Sequence, residues 1–109
     1  MAGVDPELLE MLTQNGGVRK ATGVNYGKPT YADALVDIKL YWEQEFRTIK
    51  DKQGREVTSS GLAIVSPLVD IENEDKLADP EGNEWEVLKV VSVPDIEGEH
   101  YPHHREVYV

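Results

Sequence analysis

Three histidines, His100, His103 and His104, fall within five residues of one another, and imidazole clusters are the usual ligands of zinc and copper. A metal centre needs side chains converging from a fixed scaffold. His103 and His104 are neighbours and point to opposite faces if they open a strand, so loop or subunit-contact histidines are the simpler reading, with titration near neutral pH able to tune an interface. Asp70, Glu72, Glu74 and Asp75 alternate in part with Ile71 and Asn73 but lack the glycine and glutamate spacing of a calcium loop. They read as a solvated charge run. Glu84 and Glu86 flank Trp85; on a strand they lie on the face opposite Trp85, toward solvent, where nothing raises a carboxyl pKa for acid-base work. Ser59, Ser60 and Ser66 supply hydroxyls, yet there is no Gly-x-Ser-x-Gly elbow and no His or Asp in a recognisable partner context. The glycines form neither a P-loop nor a dinucleotide fingerprint. These patterns predict no enzyme activity, no metal and no cofactor.

The composition narrows the function classes further. A chain of 109 residues fits one domain, burying roughly 65% of its unfolded surface. It has no cysteine, which rules out a disulfide framework and a Cys-based zinc or redox site and suits an intracellular protein or a virion. Apolar runs such as Leu62-Ala63-Ile64-Val65 fall far short of the roughly 20 residues that cross a bilayer. Met1 to Glu7 lacks the basic and apolar regions of a secretory signal, so neither a membrane anchor nor Sec export is expected. The formal charge of -10 repels phosphate and argues against sequence-specific nucleic-acid binding. It suits a subunit that stays soluble before assembly, or one lining a passage through which a polyanion slides.

The elements that would position any site read as mostly strands. Asp5-Pro6-Glu7 opens a short helix with an N-cap, a proline and a first-turn acid, Leu8, Leu9, Met11 and Leu12 form its apolar stripe, and Asn15-Gly16-Gly17 ends it. Two turns are marginal in water without a docking surface. Gly17 to Tyr31 reads as a long loop holding one strand, Val18–Thr22, with mobility near Asn25-Tyr26-Gly27-Lys28. In Leu35–Trp42 the residues Val36, Ile38, Leu40 and Trp42 share one face, and Asp37, Lys39 and Tyr41 the other, the period of a half-buried strand. Glu43 to Ile49 continues it past a bulge or bend, with Phe46 apolar.

Asp51-Lys52-Gln53-Gly54-Arg55-Glu56 is a polar hairpin turn leading to a strand from Val57. Leu62–Val65 is a buried strand, Pro67 interrupts it, and Leu68–Ile71 is a further short piece. Asp79-Pro80-Glu81-Gly82 is the strongest turn signal. Trp85–Val93 and His104–Val109 then read as paired core strands, with Trp42 and Trp85 packing in the core. The sum is an all-β fold, a small β-barrel or sandwich of about six short strands with a short N-terminal helix and long loops. It forms a single domain over 1–109, with a helical arm at 1–17 and the barrel at 18–109.

Three segments in this order carry a family likeness: Tyr26–Tyr31 followed by Leu35–Leu40; Asp79–Val90, with a small turn and then Trp, x, Val, x, x, Val; and the closing His104-Arg105-Glu106-Val107-Tyr108-Val109. Together they resemble the head-completion proteins of tailed bacteriophages, also called stopper, head-closure or putative minor capsid proteins. The resemblance implies a small barrel that assembles as a homo-oligomeric ring on the order of six or twelve copies beneath the portal-adaptor complex. Such a ring receives the tail proteins and retains packaged double-stranded DNA, which passes its channel without sequence-specific binding. It also implies a location at the head-tail interface of the virion, reached from the host cytoplasm. The channel-facing loop would be Asp51, Lys52, Gln53, Gly54, Arg55 and Glu56, or else Gly23–Tyr31. Contacts to neighbours or adaptor would come from Leu8, Leu9, Leu12, Tyr26 and Tyr108. A tail-completion protein, a solitary acidic barrel that binds a peptide or mimics nucleic acid, and a histidine-based metal enzyme are the competing readings.

Overall fold

The computed structural model describes residues 6–51, 53–93 and 104–109. One helix, α1 (Pro6–Met11), precedes eleven strands: β1 (Gln14–Arg19), β2 (Ala21–Asn25), β3 (Lys28–Tyr31), β4 (Val36–Glu43), β5 (Arg47–Lys50), β6 (Glu56–Ser59), β7 (Leu62–Val65), β8 (Lys76–Ala78), β9 (Glu84–Glu86), β10 (Lys89–Val93) and β11 (His104–Tyr108). Seven of them form one antiparallel sheet in the order β10-β11-β7-β4-β1-β8-β9, while β2-β3 and β5-β6 are separate two-stranded hairpins. The fold is all-β with a short helix, and its sheet curls into a half-barrel.

The reason for the curl is covalent. The two edge strands, β9 and β10, are joined by only Val87 and Leu88, and three Cα steps span at most about 11 Å. A flat seven-stranded sheet holds its edges much farther apart. The link is also bonded on both sides, the Val87 N–H to the Asp75 carbonyl at 3.2 Å and the Leu88 N–H to the Tyr108 carbonyl at 2.8 Å. Trp85–Val93 is therefore two strands serving opposite edges, not one, and only its second half pairs with the closing strand, Lys89 opposite Tyr108 through Val93 opposite His104.

The concave face is the core. Val18, Leu40, Ala63, Val65, Leu77 and Val107 are all at most 2% exposed, with Ile71, Val87 and Val109 added from the connections. Each fully buried aliphatic side chain contributes about 1.5–3 kcal/mol of transfer free energy. Trp42 and Trp85 are half-buried against this cluster with ring centroids 6.0 Å apart, a tilted aromatic pair as expected for core packing.

The alternation in β4 is as the sequence predicts from Asp37 to Trp42, with Leu40 buried, Ile38 and Trp42 half-buried and Asp37, Lys39 and Tyr41 exposed, but Val36, expected on the covered face, is 55% exposed. Several expectations are corrected. Gly16 and Gly17 do not end the helix; they lie inside β1, opposite Ile38 and Asp37. A Cβ on Gly16 would sit 2.6 Å from the Ala78 carbonyl oxygen, so here glycine permits close backbone approach rather than marking a stop. β1 thus enters the sheet before residue 18. Gly17–Tyr31 is no long loop but the end of β1 and a whole hairpin. Phe46 is 76% exposed beyond the end of β4, and Leu68–Ile71 forms no strand, although Ile71 plugs the core.

Both polar turns share one hydrogen-bond pattern. Asp51 and Asp79 each accept, on Oδ1, the N–H groups two and four residues on, at 2.9–3.0 Å. In each the glycine three residues on, Gly54 or Gly82, has φ of 80° or 90° and donates its N–H to the aspartate carbonyl. Each turn is closed by a left-handed glycine, written in the sequence as Asp-x-x-Gly.

Candidate interaction surface

The residues that leave the half-barrel gather on its hairpins. In β2-β3 every residue from Thr22 to Pro29 is exposed, Val24 at 74% and Tyr26 at 96%. Its turn, Tyr26-Gly27, has φ of 53° and 77°, the two positive values that a two-residue type I′ hairpin demands. Glycine is indifferent to that region, whereas a bulky tyrosine there is strained. Asparagine suits the position better, and the sequence has one directly before it, at Asn25.

The base of this arm is clamped. Arg19 Nε meets Glu84 Oε1 at 2.6 Å, and its Nη1 donates to the carbonyls of Ala32 and Asp33 at 2.9 and 2.7 Å. The Lys20 ammonium meets Asp75 at 2.6 Å and Asp70 at 3.2 Å, and Lys76 Nζ lies 4.5 Å over the Tyr31 ring. Asp75 is a buried carboxylate rather than part of a solvated run. It also accepts the N–H groups of Ala21 and Glu72, at 2.8 Å each. Burial alone would raise its pKa, but the Lys20 ammonium and these two N–H donors outweigh burial and hold it below the usual carboxylate range. Asp79 is the same case, with the Trp85 indole and the N–H groups of Asn83 and Glu81 overcoming burial.

A shallow apolar recess of about 170 Å³ opens beside the arm's base, lined by Val18, Lys20, Val36, Ile38, Val69 and Asp70. Its origin is a register feature. β4 pairs with β1 over Val36–Leu40 but with β7 only from Leu40 to Glu43, because β7 leaves the sheet at Ser66-Pro67. The inward face of Val36–Lys39 is left half covered. Arg105 Nη1 holds the Val69 carbonyl at 2.7 Å and so fixes the segment bordering the gap.

The residues singled out by sequence fall in different places. Leu8 and Leu12, one turn apart, are 1% and 5% exposed and already spent on the chain's own interior, which leaves no surface there for a neighbour. The four-residue apolar stripe is thus split, since Leu9 and Met11 are 54% and 49% exposed. Tyr108 is half-buried, its hydroxyl 3.3 Å from Glu106. Of the 51–56 segment, Asp51 is buried as the turn's cap, Gln53 to Glu56 are exposed, and Lys52 lies outside the described residues. His104 Nε2 is 4.0 Å from Glu106; His100 and His103 lie outside the described residues. Among the described residues no three His, Asp or Glu side chains gather as a metal site. Glu84 and Glu86 are exposed as expected, with Glu84 held by Arg19.

The sequence marks Gly23–Tyr31 as a candidate loop but does not single out Val24 or show the recess, though one signal of the arm's character is present. No acidic residue occurs between Glu10 and Asp33, a stretch carrying Arg19, Lys20 and Lys28, so all 21 acids of the chain lie elsewhere. Comparison with protein-family models, with curated proteins and with solved structures finds no match.

Proposed function

We propose that this chain is a structural connector subunit, assembling as a ring at the head-to-tail junction of a tailed-bacteriophage virion, between the portal-adaptor complex and the tail. The observation that carries the reading is that the four most exposed large apolar residues among those described, Val24 and Tyr26 on one arm, Phe46 before the other and Leu68 on a link, all stand outside the small half-barrel. Apolar groups exposed together mark protein contacts more than scattered ones do, and Val24 and Tyr26 lie two residues apart on one arm. Two free-standing hairpins also offer unpaired strand edges that another chain can extend. The three sequence segments that resemble head-completion proteins point the same way. The acidic body suits a channel wall that does not retain DNA, and the hairpin tip Asp51–Glu56, fixed by its aspartate cap and bearing Arg55 and Glu56, is assigned to that channel.

Purified chain mixed with a portal-adaptor complex tests the role directly. Capture by that complex, with several copies per connector by native mass spectrometry, is the expected result. Indifference to it would leave the solitary acidic module as the better reading, and a single copy per virion would sink the ring.

A further inference from the structure

We infer that the β2-β3 arm is the subunit's self-association element, its Tyr26 seating in the Val18/Val36/Ile38/Val69 recess of a second copy; this deepens the ring reading and rests on it. Copies of a chain carrying a net charge of -10 repel one another, so contact between them is least costly where one partner brings no acid. The arm is that surface. Its tip holds Val24, Tyr26 and Lys28, and Lys28 makes no ion pair among the described residues. The recess supplies the complement, an apolar lining rimmed by Asp70, whose side chain is 80% exposed even though it meets Lys20 at 3.2 Å.

Two features separate this arm from an ordinary surface hairpin. Tyr26 holds a positive φ that disfavours tyrosine while being 96% exposed, and a local rule broken without gain inside the monomer points to a role outside it. The recess, moreover, lies at the foot of the same arm, since Lys20 both lines it and leads into β2. An extended strand of five residues carries the tip about 16 Å away, so tip and recess of one copy cannot meet. Tip-to-foot contact between successive copies is heterologous and closes as a ring if the rotation allows.

The chain's lack of cysteine permits a clean test. Oxidised Tyr26→Cys/Val36→Cys protein should give a disulfide ladder ending at the ring's copy number, while either single variant stops at dimers. Tyr26→Gly should remain folded yet weaken self-association by roughly tenfold or more. If the wild-type chain forms rings but the double variant gives no ladder, or Tyr26→Gly associates normally, this contact is wrong and the ring reading stands. A wild-type chain that stays monomeric at millimolar concentration, alone and with the portal-adaptor complex, overturns both.

Discussion

Tyr26 and the buried aspartates show opposite ways in which a single residue serves this chain. At the arm's tip a side chain is held against its backbone preference, so Tyr26→Gly should raise unfolding stability by roughly 1 kcal/mol, read as a higher denaturant midpoint at unchanged slope. A loss of stability would show that the ring packs on its own protomer. Asp75 and Asp79 work for the fold. Replacing Asp79 with alanine removes the acceptor of the Glu81 and Asn83 N–H groups and of the Trp85 indole, a loss of about 2 kcal/mol for part-buried hydrogen bonds to a charged group. Asp51→Ala in the twin turn should cost less, because its hairpin lies outside the main sheet. Both Asp75 and Asp79 have folded-state pKa values below the ordinary one, so the unfolded chain binds protons first as pH falls. Their contribution is complete above the unfolded value of about 3.9 and disappears as pH drops through the folded values. Thermal melts between neutral pH and pH 3 should show the decline, and Asp75→Asn/Asp79→Asn should flatten it.

Among the elements, β1 is the one whose sequence misleads. Asn-Gly-Gly after an apolar helical stripe is ordinary helix-ending chemistry, yet β1 is an interior strand between β4 and β8, and its glycines answer to neighbours remote in sequence. Gly16→Ala places a methyl against the Ala78 carbonyl and the Leu40 side chain and should cost about 1–3 kcal/mol. For Gly17→Ala the nearest atoms all belong to the Leu35 side chain, itself 38% exposed and able to turn away, so its effect on a chemical melt should be smaller. A reversed order would mean that the β1-β8 approach is looser than described. The β2-β3 hairpin was illegible for a related reason. Its turn signal is carried by Tyr-Gly rather than Asn-Gly, and its strands have no apolar alternation because neither face is buried. By contrast β4 and β7 were plain, since each buries a face in the core and burial imposes the pattern.

On the scale of the whole molecule, closure of the sheet depends on the final strand. β11 bridges β10 and β7, Val107 and Val109 are core residues, and the Val109 carbonyl accepts the N–H groups of Ser60 and Gly61 and the Ser59 hydroxyl. Deleting Glu106–Val109 should therefore abolish the cooperative unfolding transition, whereas a loose tail would be lost without harm. Sequence by itself determined the class: short apolar segments of period two, two Asp-x-x-Gly turns, a charge of -10 and no cysteine. These are local or summed properties, and turn chemistry and alternation act within a few residues. Tertiary structure alone decided that Trp85–Val93 divides between two sheet edges, that Asp75 is buried against Lys20, and that Leu8 and Leu12 turn inward while Tyr26 stands out. Each of these depends on a partner many residues away, and burial and pairing across such distances are fixed only when the sheet curls.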